Sequence, residues 1–278
     1  MHIMWYESEM INETLDSLQA AIYNTDANIK LRICLNAQTY LESPISGQPD
    51  DMFNIFLNHP ILKNAEIVYK TNSDAFYNVG DWRREVYSNE YKYIVWGESD
   101  TLIPYDYFYI LENVNIQEPH VLSLSSRKMW DDTWTIVEHL YLQQLPCNEH
   151  DKIGIMSCGS YISYDQLIEF NNQIESIDIV KLPVVKIDGS LLALSPNLPT
   201  PFIAPDQHFY GEDTCAALFF QIKNIPQYHI TTRIKGHNYG HPLKRTNTNN
   251  TRNDEVFTTY SQKSKTAMQL FLNELWKK

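Results

Sequence analysis

Hydrophobic and polar positions over the first forty residues predict a strand, a helix and a second strand. HIMWY at 2–6 is a short apolar run. Over 7–22 the apolar residues recur at the three- and four-residue spacing of an amphipathic helix, and IKLRICLN at 29–36 returns to a strand pattern. Because a strand, a helix and a strand of this length form a βαβ unit, we expect the two strands to lie parallel.

The same plan repeats over the next eighty residues. Helices are predicted over 50–62, 77–88 and 104–114, the last with Pro104 in its first turn, and strands over 65–71 and 91–100. The strand at 91–100 ends in the polar residues Glu98, Ser99 and Asp100. An open α/β sheet binds its ligands at the carboxyl ends of its strands, so these three residues are the first candidates for a site.

Beyond Asn115 the alternation is less regular. We predict strands over 120–130 and 183–195, helices over 163–174 and 212–224, and an Asn- and Thr-rich loop at 246–254. A terminal helix is expected to pack against the rest of the domain through its apolar residues Phe271, Leu272, Leu275 and Trp276. The pattern therefore predicts one α/β domain over 1–278, with a mostly parallel sheet and helices on both faces. Its parts are a half at 1–115, a less regular half at 116–254 and a helix at 255–278.

Composition supports a folded chain of this class. Hydrophobic residues make up 43% and charged residues 20%, which excludes a disordered chain, and aromatic residues make up 13%. The cysteines show no CxxC spacing, which is typical of reduced thiols in a cytoplasmic protein. The N-terminal segment is rich in glutamate and no apolar run approaches eighteen residues, so neither a signal peptide nor a membrane span is predicted. We therefore expect a cytoplasmic protein, bacterial or viral.

Charge is distributed unevenly. The formal net charge is −12, but residues 214–253 contain no Asp or Glu and carry +6, which leaves −18 for the rest of the chain. The six cations are Lys223, Arg233, Lys235, Lys244, Arg245 and Arg252. A positive segment on an acidic body indicates a local site for an anion, or a solvated face that happens to lack acids.

The order of these motifs resembles the GT-A glycosyltransferases of the family-2 type over about the first 115 residues, and again at 208–241. WYESEMINETLDSLQAAI stands where the family has its first strand and helix, and GDWRREVYSNEYKYIVWGESD stands where it has a glycine- and arginine-containing stretch before an acidic strand end. The resemblance implies a single GT-A domain in which 1–115 binds a nucleotide sugar and 116–254 forms the acceptor half.

Family-2 enzymes hold the nucleotide between the first strand, the second strand and the stretch before the acidic motif. By resemblance the donor contacts are Tyr6, Glu7, Asn36, Gln38, Asp81 and Arg84. Asn36 and Gln38 stand where the family usually has aspartates that contact the base and ribose. Their amides can still hydrogen-bond a uracil edge, so we expect UDP as the donor nucleotide. Arg84 can equally pair with Glu85 or Glu90 on the surface.

Glu98 and Asp100 are the predicted metal ligands. Two carboxylates at i and i+2 converge once a chain turns at a strand end, and their hard oxygens suit Mn²⁺ or Mg²⁺. Such a cation offsets the charge that develops on a departing nucleoside diphosphate. The family element is Asp-x-Asp, so Glu98 replaces its first aspartate.

Glu212 and Asp213 open an apolar helix behind a glycine. Acidic residues are favoured there by the helix dipole, which is a sufficient reason for their position. The resemblance implies a further role, because family-2 enzymes carry a similar Glu-Asp in which the aspartate deprotonates the acceptor hydroxyl. We therefore assign Asp213 as general base, with Glu212 as the neighbour that orients it or touches the acceptor.

Further candidates lie in the positive segment and in a Trp-Asp run. A helix is disfavoured here by Gly236, Gly240 and Pro242, so His237 and His241 do not form a zincin-type pair of metal ligands. The resemblance implies that one of these two histidines is a further metal ligand. Lys235, Lys244 and Arg245 are candidates to bind the diphosphate. Trp130 and Asp132, in WDDTW, are candidates for the acceptor region or for a capped turn.

The sequence thus predicts an enzyme that transfers a hexosyl or pentosyl group from a nucleotide sugar to a hydroxyl. The acceptor is a saccharide or, as in some phages, a hydroxymethylated base of DNA, whose backbone the positive segment would suit. Two alternatives stay open. One is a catalytically degenerate GT-A fold that only binds nucleotide sugar or carbohydrate, and the other is a sugar nucleotidyltransferase, although WYESEM lacks the glycine-rich loop of that class.

Overall fold

A computed structural model describes residues 1–4, 8–36, 54–56, 58–70, 78–126, 129–130, 156–157, 163–183, 187, 189–208, 210–237 and 255–277. The strands are β1 His2–Met4, β2 Arg32–Asn36, β3 Glu66–Lys70, β4 Ile94–Gly97, β5 Thr101–Leu102, β6 Val121–Ser126, β7 Met129–Trp130, β8 Met156–Ser157, β9 Ile179–Lys181, β10 Leu191–Leu194 and β11 Gln227–His237. The α-helices are α1 Ser8–Tyr23, α2 Val79–Val86, α3 Tyr107–Asn113, α4 Tyr164–Asn171, α5 Glu212–Ile222 and α6 Glu255–Trp276. The fold is mixed α/β.

The first sheet is parallel, with β2 between β1 and β3. The predicted βαβ unit is therefore confirmed. Over the helix predicted at 50–62, the described residues form a helical turn at 54–56 and a 3-10 helix at Pro60–Asn64. Pro60 stands at the start of the 3-10 helix, where its missing N–H costs nothing.

The second sheet is mixed, so the prediction of a mostly parallel sheet is wrong for this part. Its order is β4-β10-β6-β11-β5, and β9 also pairs with β11. β10 runs antiparallel to β4 and β6, whereas β11 is parallel to β6. All four residues of β10 are apolar and buried. A strand that is covered on both faces is apolar throughout whether it runs parallel or antiparallel to its neighbours. Its hydrophobic pattern therefore does not reveal its orientation.

Alternate residues of β10 show how the helices cover this sheet. Leu191 and Ala193 pack in a core with α1 and α3, while Leu192 and Leu194 pack in a core with α5 and α6. Leu272 of α6 is buried there, and Phe271 and Leu275 are partly buried against it, as predicted. Trp276 was predicted to join them but is 74% exposed, because it lies in the last turn beyond the apolar face.

A parallel bridge between His2 and Glu98 joins the two sheets, and gives the continuous order β3-β2-β1-β4-β10-β6-β11. The chain grows outwards from β1 to β3 and then returns to place β4 on the other side of β1. Ligands bind outside the carboxyl ends of strands at such a reversal. No helix in the described part of the chain has the length and apolar character needed to cross a bilayer.

Candidate active site

The acidic turn at 98–100 follows β4 at the strand reversal and is held from two sides. The Thr14 hydroxyl of α1 donates to the Ser99 carbonyl oxygen at 2.7 Å, and the Ile103 amide donates to Ser17 Oγ at 3.0 Å. The Glu98 amide donates to the Ser190 carbonyl oxygen at 3.2 Å. Asp100 is 1% exposed. The polar residues on the buried face of α1 therefore fix the turn that carries both predicted metal ligands.

Arg83 joins this turn to the first residue of α5. Its Nη1 donates to Glu212 Oε1 at 2.6 Å, and its Nη2 donates to Glu98 Oε1 at 2.7 Å and to the Gly189 carbonyl oxygen at 2.8 Å. The Arg83 side chain is 3% exposed, that of Glu212 is 9% exposed and that of Glu98 is 30% exposed. Two carboxylates that are distant in sequence thus share one buried guanidinium.

The surroundings of Arg83 leave little freedom to its guanidinium. The guanidinium carbon lies 4.5 Å from the ring centroid of Trp96, a cation–π contact. A Cβ on Gly189 would come within 2.6 Å of Arg83 Nη1, so a glycine is needed for this close approach. Val79, Trp82 and Arg83 are all buried on α2, at the three- and four-residue spacing of one helix face. Arg83 was not among the predicted site residues, although this spacing distinguishes it from Arg84 in the sequence.

Burial dominates the electrostatics of this cluster. Burial raises the pKa of Glu212 to about 7, and the negative charges of Asp213 and Glu98 also raise it. The positive charge of Arg83 acts in the opposite direction and lowers this pKa, but by less than burial raises it. Burial also lowers the pKa of Arg83, but Glu212 and Glu98 outweigh that effect, so the Arg83 pKa lies above its ordinary value. Arg83 is therefore a permanent cation, whereas Glu212 changes charge near neutral pH.

Asp213 follows Glu212 in the first turn of α5. Gly211 precedes this helix in the left-handed conformation, with φ at 72°, which a glycine adopts without strain. Asp213 Oδ1 accepts from the Thr214 amide at 2.7 Å, and its position favours the charged carboxylate through the helix dipole. Arg83 thereby brings the predicted pairs Glu98 with Asp100 and Glu212 with Asp213 to the same edge of the fold.

Arg84 and Asp81, both predicted donor contacts, hold the segment 204–208, which precedes α5 in the chain. Arg84 Nη1 donates to the carbonyl oxygens of Ala204 at 2.6 Å and Gln207 at 2.8 Å, and its Nη2 donates to Asp81. Asp81 also pairs with His208 Nδ1 at 2.9 Å. Arg84 thus bonds to Asp81 and to backbone carbonyl oxygens, whereas the neighbouring Arg83 bonds to the carboxylates of Glu98 and Glu212.

The end of β11 brings part of the positive segment to the acidic turn. Gly236 pairs with Leu102, and His237 pairs with Thr101, the residue after Asp100. A bulge between Ile230 and Ile234 precedes this point, and Asn171 satisfies both the amide and the carbonyl of Ile234, at 2.8 and 3.0 Å. The backbone of one predicted metal-binding histidine therefore lies beside the predicted carboxylate ligands. Sequence reasoning predicted no strand at Gln227–His237.

Two cations of the positive segment are internal. Lys235 is 1% exposed and its Nζ donates to the Leu191 carbonyl oxygen at 3.3 Å, while Arg233 Nε donates to Asp106 Oδ2 at 2.7 Å. Lys235 lies under the acidic turn, since Leu191 pairs with Gly97 of β4. Lys235, a candidate to bind the diphosphate, is therefore a buried residue of β11 whose ammonium group donates to the backbone of β10.

Several predicted residues lie outside the part of the chain that the structure describes. These are Tyr6, Glu7, Gln38, Asp132, His241, Lys244 and Arg245. For Asn36, at the carboxyl end of β2, and Trp130, in β7, only the backbone is described.

The donor set at the acidic turn suits a divalent cation. Glu98 and Asp100 offer hard oxygen ligands, and a carboxylate that accepts from Arg83 through Oε1 can still bind a cation through its second oxygen. Among the described residues no group of three or more His, Cys, Asp and Glu side chains is arranged to hold a metal. A third ligand would come from the histidine candidates, of which His237 has its backbone beside Thr101.

No protein-family model matches this chain, and no curated protein sequence matches it either. The functional assignment therefore depends on the side chains of the cleft.

Proposed function

We propose that this protein is a metal-dependent glycosyltransferase of the GT-A type. It transfers a sugar from a nucleoside-diphosphate sugar, most simply a UDP-sugar, to a hydroxyl group. The observation that carries the proposal is the bridge from Glu98 through Arg83 to Glu212. It joins a candidate cation site after β4 to a candidate base at the start of α5, and this transfer needs both.

Each residue of the cleft has a role in the proposed reaction. Glu98 and Asp100 hold Mn²⁺ or Mg²⁺, which when bound offsets the charge on the departing nucleoside diphosphate. Asp213 takes the proton of the acceptor hydroxyl as its oxygen bonds to the anomeric carbon, and the bond from that carbon to the diphosphate oxygen breaks. Arg83 holds the carboxylates of Glu98 and Glu212 in fixed positions relative to each other, and so positions Asp213 relative to the donor.

The acceptor is proposed to be a saccharide rather than DNA. Binding to a phosphate backbone requires exposed cations, because its affinity comes largely from neutralised phosphates. Of the six cations in the positive segment, Arg233 and Lys235 are buried and bonded to protein groups. Their burial removes charge from the surface that the DNA alternative needs.

Donor hydrolysis tests this proposal. A panel of UDP- and GDP-sugars is incubated with the protein, with Mn²⁺ and with EDTA, and the released nucleoside diphosphate is measured. We expect Mn²⁺-dependent release that Asp100→Asn abolishes and that the exposed control Asp26→Asn leaves unchanged. Binding without release would favour the degenerate binding module. Exchange of labelled pyrophosphate into a nucleotide sugar would favour the nucleotidyltransferase.

A further inference from the structure

A bulge in β11 interrupts the pairing of this strand with β6. Up to Ile230, which lies opposite Leu124, the two strands pair residue by residue. The next pair joins Ile234 to Ser125, the residue that directly follows on β6, so residues 231–233 have no counterpart there. A bulge usually inserts a single residue, and bulges are common next to active sites, where they redirect a side chain. An insertion of three residues needs further support from the rest of the fold.

The inserted residues bond to the segment that follows α4 and to the start of α3. The Thr231 amide donates to the Asp178 carbonyl oxygen at 3.0 Å, and the Asp178 amide donates to Thr232 Oγ1 at 3.1 Å. Arg233 Nε donates to Asp106 Oδ2 at 2.7 Å. Asp106 is the N-cap residue of α3, a position at which Asp usually accepts from a helix amide, but within the described residues its side chain makes no such bond. Its carboxylate binds the bulge instead.

Asn171, the last residue of α4, marks the end of the bulge. This residue is 1% exposed, its Oδ1 accepts from the Ile234 amide at 2.8 Å, and its Nδ2 donates to the Ile234 carbonyl oxygen at 3.0 Å. One side-chain amide thus makes both bonds to Ile234 that a residue of a neighbouring strand would make. The pairing of β11 with β6 resumes at Ile234. Asn171 therefore fixes the point at which the strand restarts.

The point of restart decides which residue of β11 reaches the acidic turn. Beyond the bulge β11 also pairs with β5, where His237 lies opposite Thr101, the residue after Asp100. Without the three inserted residues, Ile234 would take the place opposite Thr101. His237 would then lie about 10 Å farther along, since each strand residue advances the chain by about 3.3 Å. The bulge therefore brings the backbone of His237 beside the predicted carboxylate ligands.

We propose that Asn171 is a positioning residue for the cation of the proposed reaction. By binding Ile234 at the end of the bulge, it places His237 so that this histidine completes the ligand set of Glu98 and Asp100. Of the two histidine candidates, the bulge thus selects the one whose place in the fold it determines. The inference rests on the proposed function, because it needs a cation at the acidic turn.

Binding of Mn²⁺ to the folded protein tests this role without turnover. Electron paramagnetic resonance measures free Mn²⁺ during titration of the wild type, Asn171→Ala, His237→Ala, the double variant and Asp100→Asn. Thr232→Val is a milder change to the bulge, because it removes one acceptor, and it replaces Asn171→Ala if that variant does not fold. Asn113→Ala is the matched control, since Asn113 is the exposed last residue of α3 and its Nδ2 also donates to a backbone carbonyl oxygen, at 2.8 Å. Circular dichroism establishes that each variant is folded.

We expect one Mn²⁺ site in the wild type and in Asn113→Ala. Asn171→Ala and His237→Ala should each weaken Mn²⁺ binding about tenfold, as the loss of a group that orients a metal ligand does. The double variant should bind as weakly as His237→Ala alone, because Asn171 acts through His237. Thr232→Val should weaken binding in the wild type but have no effect on His237→Ala.

Failure of this role and failure of the proposed function give different results. Absence of Mn²⁺ binding in the wild type, or binding that Asp100→Asn leaves unchanged, would overturn the proposed cation site and this inference with it. If Asp100→Asn abolishes binding, wild-type affinity in folded Asn171→Ala, or in Thr232→Val where it replaces that variant, would overturn the positioning role alone. Losses that add in the double variant would do the same.

Discussion

Arg83 donates to Glu212 and Glu98 while its own side chain is 3% exposed. A buried ion pair contributes less to stability than its geometry suggests, because both charges lose their hydration. Removing one partner is costly, since the remaining charge is then buried without compensation. At the scale of single residues, Arg83 is therefore the side chain whose loss should affect the cleft most.

Replacing Arg83 with methionine should lower the free energy of unfolding by about 3–5 kcal/mol, because the buried Glu212 loses its cationic partner. Arg32→Met is the matched control. The ion pair of Arg32 with Glu66 is exposed, with side-chain exposures of 41% and 59%, and its loss should cost less than about 1 kcal/mol. Urea denaturation measures both. A loss below about 1 kcal/mol in Arg83→Met would mean that the bridge is not formed.

Glu212 should make stability depend on pH. Its pKa is about 7 in the folded protein, against an ordinary value of 4.5, so between these values the folded state holds a proton that the unfolded chain releases. The free energy of unfolding of the wild type should therefore fall, relative to Glu212→Gln, as pH rises from about 4.5 to about 7. The full difference is about 3 kcal/mol. Parallel stability curves for the two proteins over this range would contradict the assignment.

At the scale of elements, α2 positions both halves of the cleft. Arg83 reaches Glu98 and Glu212, while Arg84 and Asp81 hold the backbone and His208 of the segment 204–208. The first turn of α2 also touches this segment directly, since the Gly80 amide donates to the His208 carbonyl oxygen at 2.9 Å. One short helix thus determines where the chain enters α5.

Gly80→Ala should disturb this contact. A Cβ at Gly80 would lie 2.2 Å from the Gln207 carbonyl oxygen, so the segment before α5 must move. We expect a loss of about 1–3 kcal/mol in the free energy of unfolding and lower donor hydrolysis, because Asp213 is displaced. Gly97→Ala is the control, since its nearest neighbour is the Met1 side chain at 3.7 Å. Equal stability and activity in the two variants would contradict a positioning role for α2.

The elements differ in how far the sequence could predict them. The βαβ unit was predictable because α1 has one apolar face and β1 and β2 are short apolar runs. The helix predicted from Pro104 begins at Tyr107, because Pro104 instead accepts from the Tyr107 amide in a preceding turn. β11 was missed because its charged residues Arg233 and Lys235 are buried, each with partners from distant segments.

At the scale of the whole molecule, the Arg83 bridge joins the turn that carries the predicted metal ligands Glu98 and Asp100 to the start of α5, which carries Glu212 and Asp213. Each pair was predictable at the end of an element, but only the family resemblance implied that both serve one active site, because β10, the strand before α5, runs antiparallel to β4. Side-chain chemistry does not show which arginine joins them, because Arg83 and Arg84 are identical in it. The spacing of Arg83 with Val79 and Trp82, which share one buried face of α2, is what distinguishes the two arginines.

The central claim is that the acidic turn binds a divalent cation together with a nucleoside diphosphate. Calorimetric titration with UDP tests this most directly, in Mn²⁺ and in EDTA, with Asp100→Asn and the exposed control Asp26→Asn. We expect at least about tenfold tighter UDP binding with Mn²⁺ in the wild type and in Asp26→Asn, and none of this gain in Asp100→Asn. Equal UDP affinity with and without Mn²⁺ in the wild type, or an undiminished gain in Asp100→Asn, would contradict the account.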